Sequence, residues 1–206
     1  MRVFLLIAFL ISPLTFADTT AIDPIQADAR EERETPPLRN KIYRALSKAQ
    51  NEMAKNKLDK AEKRLKKLLD KGDVNRYELA NIHNSFAYIH YRRKNYPAAL
   101  ESYEGVIEQS PDIPWALEKS TRYTSGMLSM LTKDYEKSIR HFERYLEMHG
   151  EPDPRVDRMY LEAYLGLQRF DEGEVFLNRH LEHLSQEGEE PSERLLEIIA
   201  EYDDRR

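Results

Sequence analysis

From Leu38 onward the apolar residues recur at intervals of three and four, the spacing of one face of an α-helix. Leu38, Ile42, Ala45, Leu46, Ala49 and Met53 form one such stripe, and Leu58, Ala61, Leu65, Leu68 and Leu69 form a second. Thr35-Pro36-Pro37 predicts the start of the first helix, since proline is tolerated in a first turn where its missing N–H has no partner to lose. The first helix should end near Lys55-Asn56 and the second near Lys71-Gly72-Asp73, where glycine can close a helix. The plan then repeats. One helix carries Leu79, Ile82, Phe86, Ala87, Ile89 and Tyr91, and the next carries Tyr96, Ala99, Leu100, Tyr103, Val106 and Ile107, closed by Ser110-Pro111. Two more pairs span about Trp115–Met148 and Arg155–Leu184, and a single helix runs from Pro191 to Tyr202, so four pairs plus one are expected.

Ala80 to Pro111 (ANIHNSFAYIHYRRKNYPAALESYEGVIEQSP) resembles the tetratricopeptide repeat (TPR), a unit of about 34 residues with small and aromatic residues at set points of two antiparallel helices. Ala87, Tyr96, Ala99 and Tyr103 fall at four of those points, whereas His90 stands where the unit usually has tyrosine. The other pairs match more loosely, through Ala61, then through Gly126, Tyr135, Ser138 and Phe142, and last through Phe170, Gly173 and Leu177. The equivalent residues Leu58, Tyr96, Tyr135 and Phe170 are 38, 39 and 35 apart, so two units carry insertions. The resemblance implies an all-α, right-handed solenoid of helix pairs, in which small residues let helices approach and aromatics fill the gap to the next unit. An unrelated helical bundle is the alternative.

Ahead of the repeats, Met1-Arg2 precedes the apolar run Val3 to Ile11, a break at Ser12-Pro13, and a small-residue cleavage signature at Thr15-Phe16-Ala17. That order matches a secretory leader, and the run is too short for a membrane span of about 20 residues. Residues 1–17 are therefore expected to be a leader cut between Ala17 and Asp18, 18–35 a flexible linker and 36–206 the repeat domain, periplasmic or secreted, with no transmembrane segment in the mature chain. The linker is polar and has few large apolar groups to offset the entropy of ordering.

Composition narrows the chemistry. Glycine is scarce, at 7 of 206 residues, which suits helices, and there is no cysteine, so neither disulfide nor thiolate ligand is available. His180 and His183 lie one helical turn apart but lack the metalloprotease spacing and any nameable third ligand, so no metal and no cofactor are expected. His83 and His90, seven apart, read equally as groove or packing residues. No nucleophile elbow, phosphate loop or dinucleotide fingerprint is present, and with 37 carboxylates any acid pair is uninformative, so the chain is not expected to be an enzyme. Charge is segregated: residues 36–76 hold 13 Lys and Arg against 5 Asp and Glu, a net of +8, and residues 150–206 hold 7 against 16, a net of −9. Interleaved Asp59, Glu62 and Asp70, with an overall charge of −5, favour a solvated helix face over nucleic acid or an anionic lipid surface for the basic stretch.

The chain also resembles small periplasmic TPR proteins encoded with TonB, ExbB and ExbD energy-transduction genes, in its leader, its basic PPLRNKIYRALSKAQ opening and its degenerate first repeat. That resemblance implies a scaffold or adaptor for a protein or peptide partner, accessory to a TonB/ExbB/ExbD-type membrane complex. An envelope or peptidoglycan assembly scaffold is the alternative, and an enzyme a distant third. The family's groove positions, carried onto this sequence, are Asn81, Asn84, Tyr88, Tyr91 and Arg92 in the best repeat, then Tyr123, Met127 and Met130, then Arg155, Arg158 and Glu162. Amides can satisfy an extended backbone, tyrosines offer rigid contact area, and arginine forks a carboxylate.

Overall fold

The computed structural model describes residues 33 and 35–204. The leader at 1–17 lies outside the described residues, as does the linker at 18–35 save for Arg33 and Thr35. Among the described residues there are nine helices and no strand: α1 Asn40–Ala54, α2 Leu58–Leu69, α3 Arg76–Arg92, α4 Tyr96–Ile107, α5 Trp115–Leu131, α6 Tyr135–His149, α7 Pro154–Gly166, α8 Phe170–Glu187 and α9 Glu193–Asp203. None of them is long and apolar enough to cross a membrane.

Helices pair as α1–α2, α3–α4, α5–α6 and α7–α8, and each pair packs on the next. The stripes read from the sequence are the buried faces. Ile42, Leu46, Ala49 and Met53 of α1 meet Ala61, Leu65 and Leu68 of α2, and Ile82, Phe86 and Ile89 of α3 close that core. A small cluster of Ala80, Val106 and Ile113, with Tyr77 and Leu117 against it, continues the packing into α5. Ile139, Phe142 and Tyr145 of α6 meet Val156, Met159, Tyr160, Ala163 and Tyr164 of α7. The last helix docks on the final pair through Leu195, Ile198 and Tyr202, whose hydroxyl donates to the Leu161 carbonyl at 3.2 Å.

Caps fix the registers. Asn75 and Glu78 form a reciprocal capping box at the start of α3, and Asn95, Asp134, Asp153 and Ser192 side chains accept from first-turn N–H groups of α4, α6, α7 and α9. Each turn inside a pair has one residue in the left-handed region two positions before its second helix: Asn56, Lys94, Lys133 and Gln168, with φ between 57° and 60°. The recurrence reproduces the 38, 39 and 35 spacing of the sequence.

Three boundaries differ from their expectations. Helix α8 runs on past Leu184 to Glu187, where the left-handed Gly188 closes it, and α9 begins at Glu193 behind its Ser192 cap rather than at Pro191. The first helix begins at Asn40 rather than beside Pro36-Pro37: Thr35 and Pro36 each precede a proline and are driven from the helical region, and Arg39, held through its N–H by Glu78 Oε1 at 2.9 Å, stays extended as the N-cap with ψ 143°.

Candidate protein-binding face

The first helices of the second, third and fourth pairs, α3, α5 and α7, carry the expected groove positions. On α3, Tyr88 packs against the first core cluster, and its hydroxyl accepts from Arg92 Nη1 at 2.6 Å. The same guanidinium lies 5.6 Å from the Tyr88 ring centroid, and its Nη2 donates to Asn56 Oδ1 at 3.1 Å, so this exposed arginine is held at the turn of the first pair. Asn81 is half-buried and spends one donor on the Tyr77 carbonyl, and Asn84 is only 9% exposed. Tyr91 packs instead into the next cluster, tilted on Tyr96 beside Ala99, Leu100 and Leu128. Tyr88 and Tyr91, neighbours on one face of α3, thus pack into different clusters and both stay half-buried, leaving Asn81, Tyr88, Tyr91 and Arg92 as the accessible part of this group.

A second patch forms between α5 and α7. Tyr123, Met127 and Met130 are half-buried against the core of Phe142, Tyr145, Tyr160 and Tyr164. Tyr123 meets the Tyr145 ring at 5.1 Å and the Phe142 ring edge-on at 5.8 Å, and the Arg155 guanidinium covers it at 5.4 Å. Arg155 forks the nearly buried Asp153 at 2.9 and 2.6 Å, and Tyr145 donates its hydroxyl to the same carboxylate at 2.9 Å. Burial pushes the Asp153 carboxyl up, but the Arg155 and Tyr145 hydrogen bonds outweigh it and hold the group below the usual carboxylate range. Arg155 is therefore a fixed cation on an aromatic floor. Arg158 is exposed and Glu162 half-buried on the same helix, and Leu131, at 60% exposure, extends the apolar edge beyond Met130.

The histidines resolve into packing roles. His83 lies over Gly105, where an added Cβ would fall 2.7 Å from its Nδ1, and His90 stacks on Phe86 at 6.4 Å. Among the described residues no three His, Cys, Asp or Glu side chains converge as a metal site.

A series of buried acids escaped the sequence reading. Glu78, Glu118 and Asp157 stand 40 and 39 residues apart near the starts of α3, α5 and α7, all at most 1% exposed. Each has an arginine: Arg39 on Glu78 at 2.6 Å, Arg33 on Glu118 at 2.7 Å, and Arg179 on Asp157 through Nε at 2.8 Å. Their recurrence at the repeat interval was the available signal, hidden among 37 acidic residues.

Residues 46–114, covering most of the first two pairs, match the tetratricopeptide repeat family model. A solved structure, a tetratricopeptide repeat protein from Parabacteroides merdae, superposes with a TM-score of 0.54 at 17% identity, over 78% of this chain and 58% of that one. No curated protein matches the chain. The present chain accordingly spans less than two thirds of that structure's length, and its architecture is an all-α, TPR-like solenoid.

Proposed function

We propose that this chain is an extracytoplasmic, non-catalytic scaffold that holds a protein partner on the α3, α5 and α7 face, in support of a TonB/ExbB/ExbD-type energy-transducing complex. The observation that carries the binding role is the α5–α7 patch, where Tyr123, Met127 and Met130 are left half-buried and Arg155, forked on Asp153, covers the Tyr123 ring. Aromatic, methionine and arginine side chains are the ones that protein interfaces enrich, and a repeat solenoid offers them in a row. Export is supported by the leader-like opening, and the energy-transduction role by the resemblance of the leader, basic opening and repeats to TPR proteins encoded with such systems.

Affinity capture with the tagged full chain from an envelope extract tests the assignment. Enrichment of TonB, ExbB or ExbD components supports it, and enrichment of cell-wall assembly machinery instead would replace the energy-transduction role with an assembly one.

A further inference from the structure

Glu118 sits in the first turn of α5 with 1% exposure, and a buried carboxylate is costly unless cations and donors surround it. Its Oε2 accepts from the Ser110 hydroxyl at 2.7 Å and from Arg33 Nη1 at 2.7 Å, while Arg122 reaches Oε1 at 3.2 Å. Across the same guanidinium lies the Trp115 ring, its centroid 4.7 Å from Arg33 Cζ. A carboxylate in front and an aromatic face beneath suit a planar, weakly hydrated guanidinium and fit a lysine ammonium poorly. The Trp115 indole N–H is out of solvent and has no acceptor, a bare donor that the backbone carbonyl of a better-placed ligand would satisfy.

Arg33 comes from outside the repeats. It lies 85 residues from Glu118, ahead of the extended stretch 35–39, and Arg39 at the far end of that stretch takes Glu78 in the same way. The third acid, Asp157, instead receives Arg179 from its own pair. Two of three equivalent carboxylates are therefore served by a strap that belongs to no helix pair.

We propose that the start of α5 is a guanidinium-binding site, filled in the free chain by Arg33, that takes an arginine of an extended partner segment when the strap lifts away. Glu118 supplies the charge, Ser110 orients it and Trp115 provides the stacking face. The strap competes as a tethered ligand at an effective concentration of the order of millimolar, so a partner must exceed that to enter. The partner half of the proposal rests on the protein-binding reading above, but its test does not, because loss of the arginine site would leave capture of partners through the α5–α7 patch untouched.

The chain has a single tryptophan, so Trp115 emission reports on this site alone. N-acetyl-arginine amide titrated into full-length Arg33→Ala should give a saturable change at millimolar concentration. Arg33→Ala/Glu118→Gln should lose it, N-acetyl-lysine amide should not reproduce it, and wild type should need more arginine amide, about two-fold where the strap's effective concentration equals the amide's Kd and more where it exceeds it. Should Arg33→Ala not fold, Arg33→Lys keeps the charge without the fork, and arginine amide should act on it at lower concentration than on wild type. A flat curve in folded Arg33→Ala, an equal response to the lysine amide, or equal midpoints for Arg33→Lys and wild type would overturn the site.

Discussion

The Phe142 ring occupies the space a side chain at position 126 would need: a Cβ built on Gly126 falls 2.7 Å from Cε1, and the Gly126 carbonyl accepts the Ser138 hydroxyl at 2.9 Å. α5 and α6 touch there because nothing larger than hydrogen is present. Gly126→Ala should overpack the contact, and overpacking a core costs about 1 to 3 kcal/mol. Thermal unfolding should then drop by roughly 2 to 4 °C per kcal/mol for a domain of this size. Ala99→Leu, at a fully buried site of the second pair, should likewise lower the midpoint more than Glu101→Leu on the exposed face of α4. Equal midpoints for those two would displace the helix register.

The four left-handed turn residues make an opposite prediction. A side chain in that region costs about 1 to 2 kcal/mol, which glycine avoids at the expense of greater unfolded-chain entropy. Lys94→Gly and Lys133→Gly, at φ 58° and 60°, should together raise the thermal midpoint by a few degrees. Asn56→Gly should gain less, since asparagine tolerates this conformation and its side chain accepts from Arg92. Scanning calorimetry of the three variants separates these outcomes, and a loss at Lys94 would contradict the turn geometry.

Helices and cores were legible because every pair repeats the same three-and-four spacing, and the glycine and alanine positions that set close packing follow from it. The strap was not. Its signal is two single arginines, Arg33 and Arg39, and nothing local marks their partners, because Arg33 pairs with Glu118 and Arg39 with Glu78, 85 and 39 residues along the chain. Among the groove residues, the repeat register placed the candidates on α3, α5 and α7, but periodicity alone does not separate Tyr88, packed on the first pair, from Tyr91, packed toward α4 and α5. Both lie half in and half out of a continuous core.

Acid should loosen the fold in two stages. Burial, with Arg122 adding to it, pushes the His141 imidazole down to about 4, and Glu104, Lys137 and Arg140 also face it. Between pH 6.5 and 4 the unfolded chain binds the proton and the folded chain does not, so stability is full above 6.5 and falls toward 4. The Glu78 carboxyl is held down to about 2 by the Arg39 hydrogen bond, so its contribution, present above pH 4.5, is lost as pH falls toward 2. Urea unfolding of His141→Gln between pH 7.5 and 5 should show a shallower slope, by at most about 1.4 kcal/mol per pH unit. The slope should not vanish, because burial lowers His83, His149 and His180 in the same direction. An unchanged slope would remove His141 from the linkage.

The binding face itself is tested by three side chains at its surface, of which only Met127 also touches a core. Arg92 and Arg158 are exposed, Met127 is half-buried, and each belongs to a different first helix, α3, α7 and α5. The measurement is partner capture by tagged full-length Arg92→Ala/Met127→Ala/Arg158→Ala beside wild type, quantified at matched concentration. Interface anchors can cost more than about 1 kcal/mol each on truncation, so capture should fall at least about ten-fold. Met127→Ala alone, which carries the triple variant's loss of packing, should lower the thermal midpoint as much as the triple variant does. Undiminished capture by the folded triple variant would contradict the account and move the interface off the first helices.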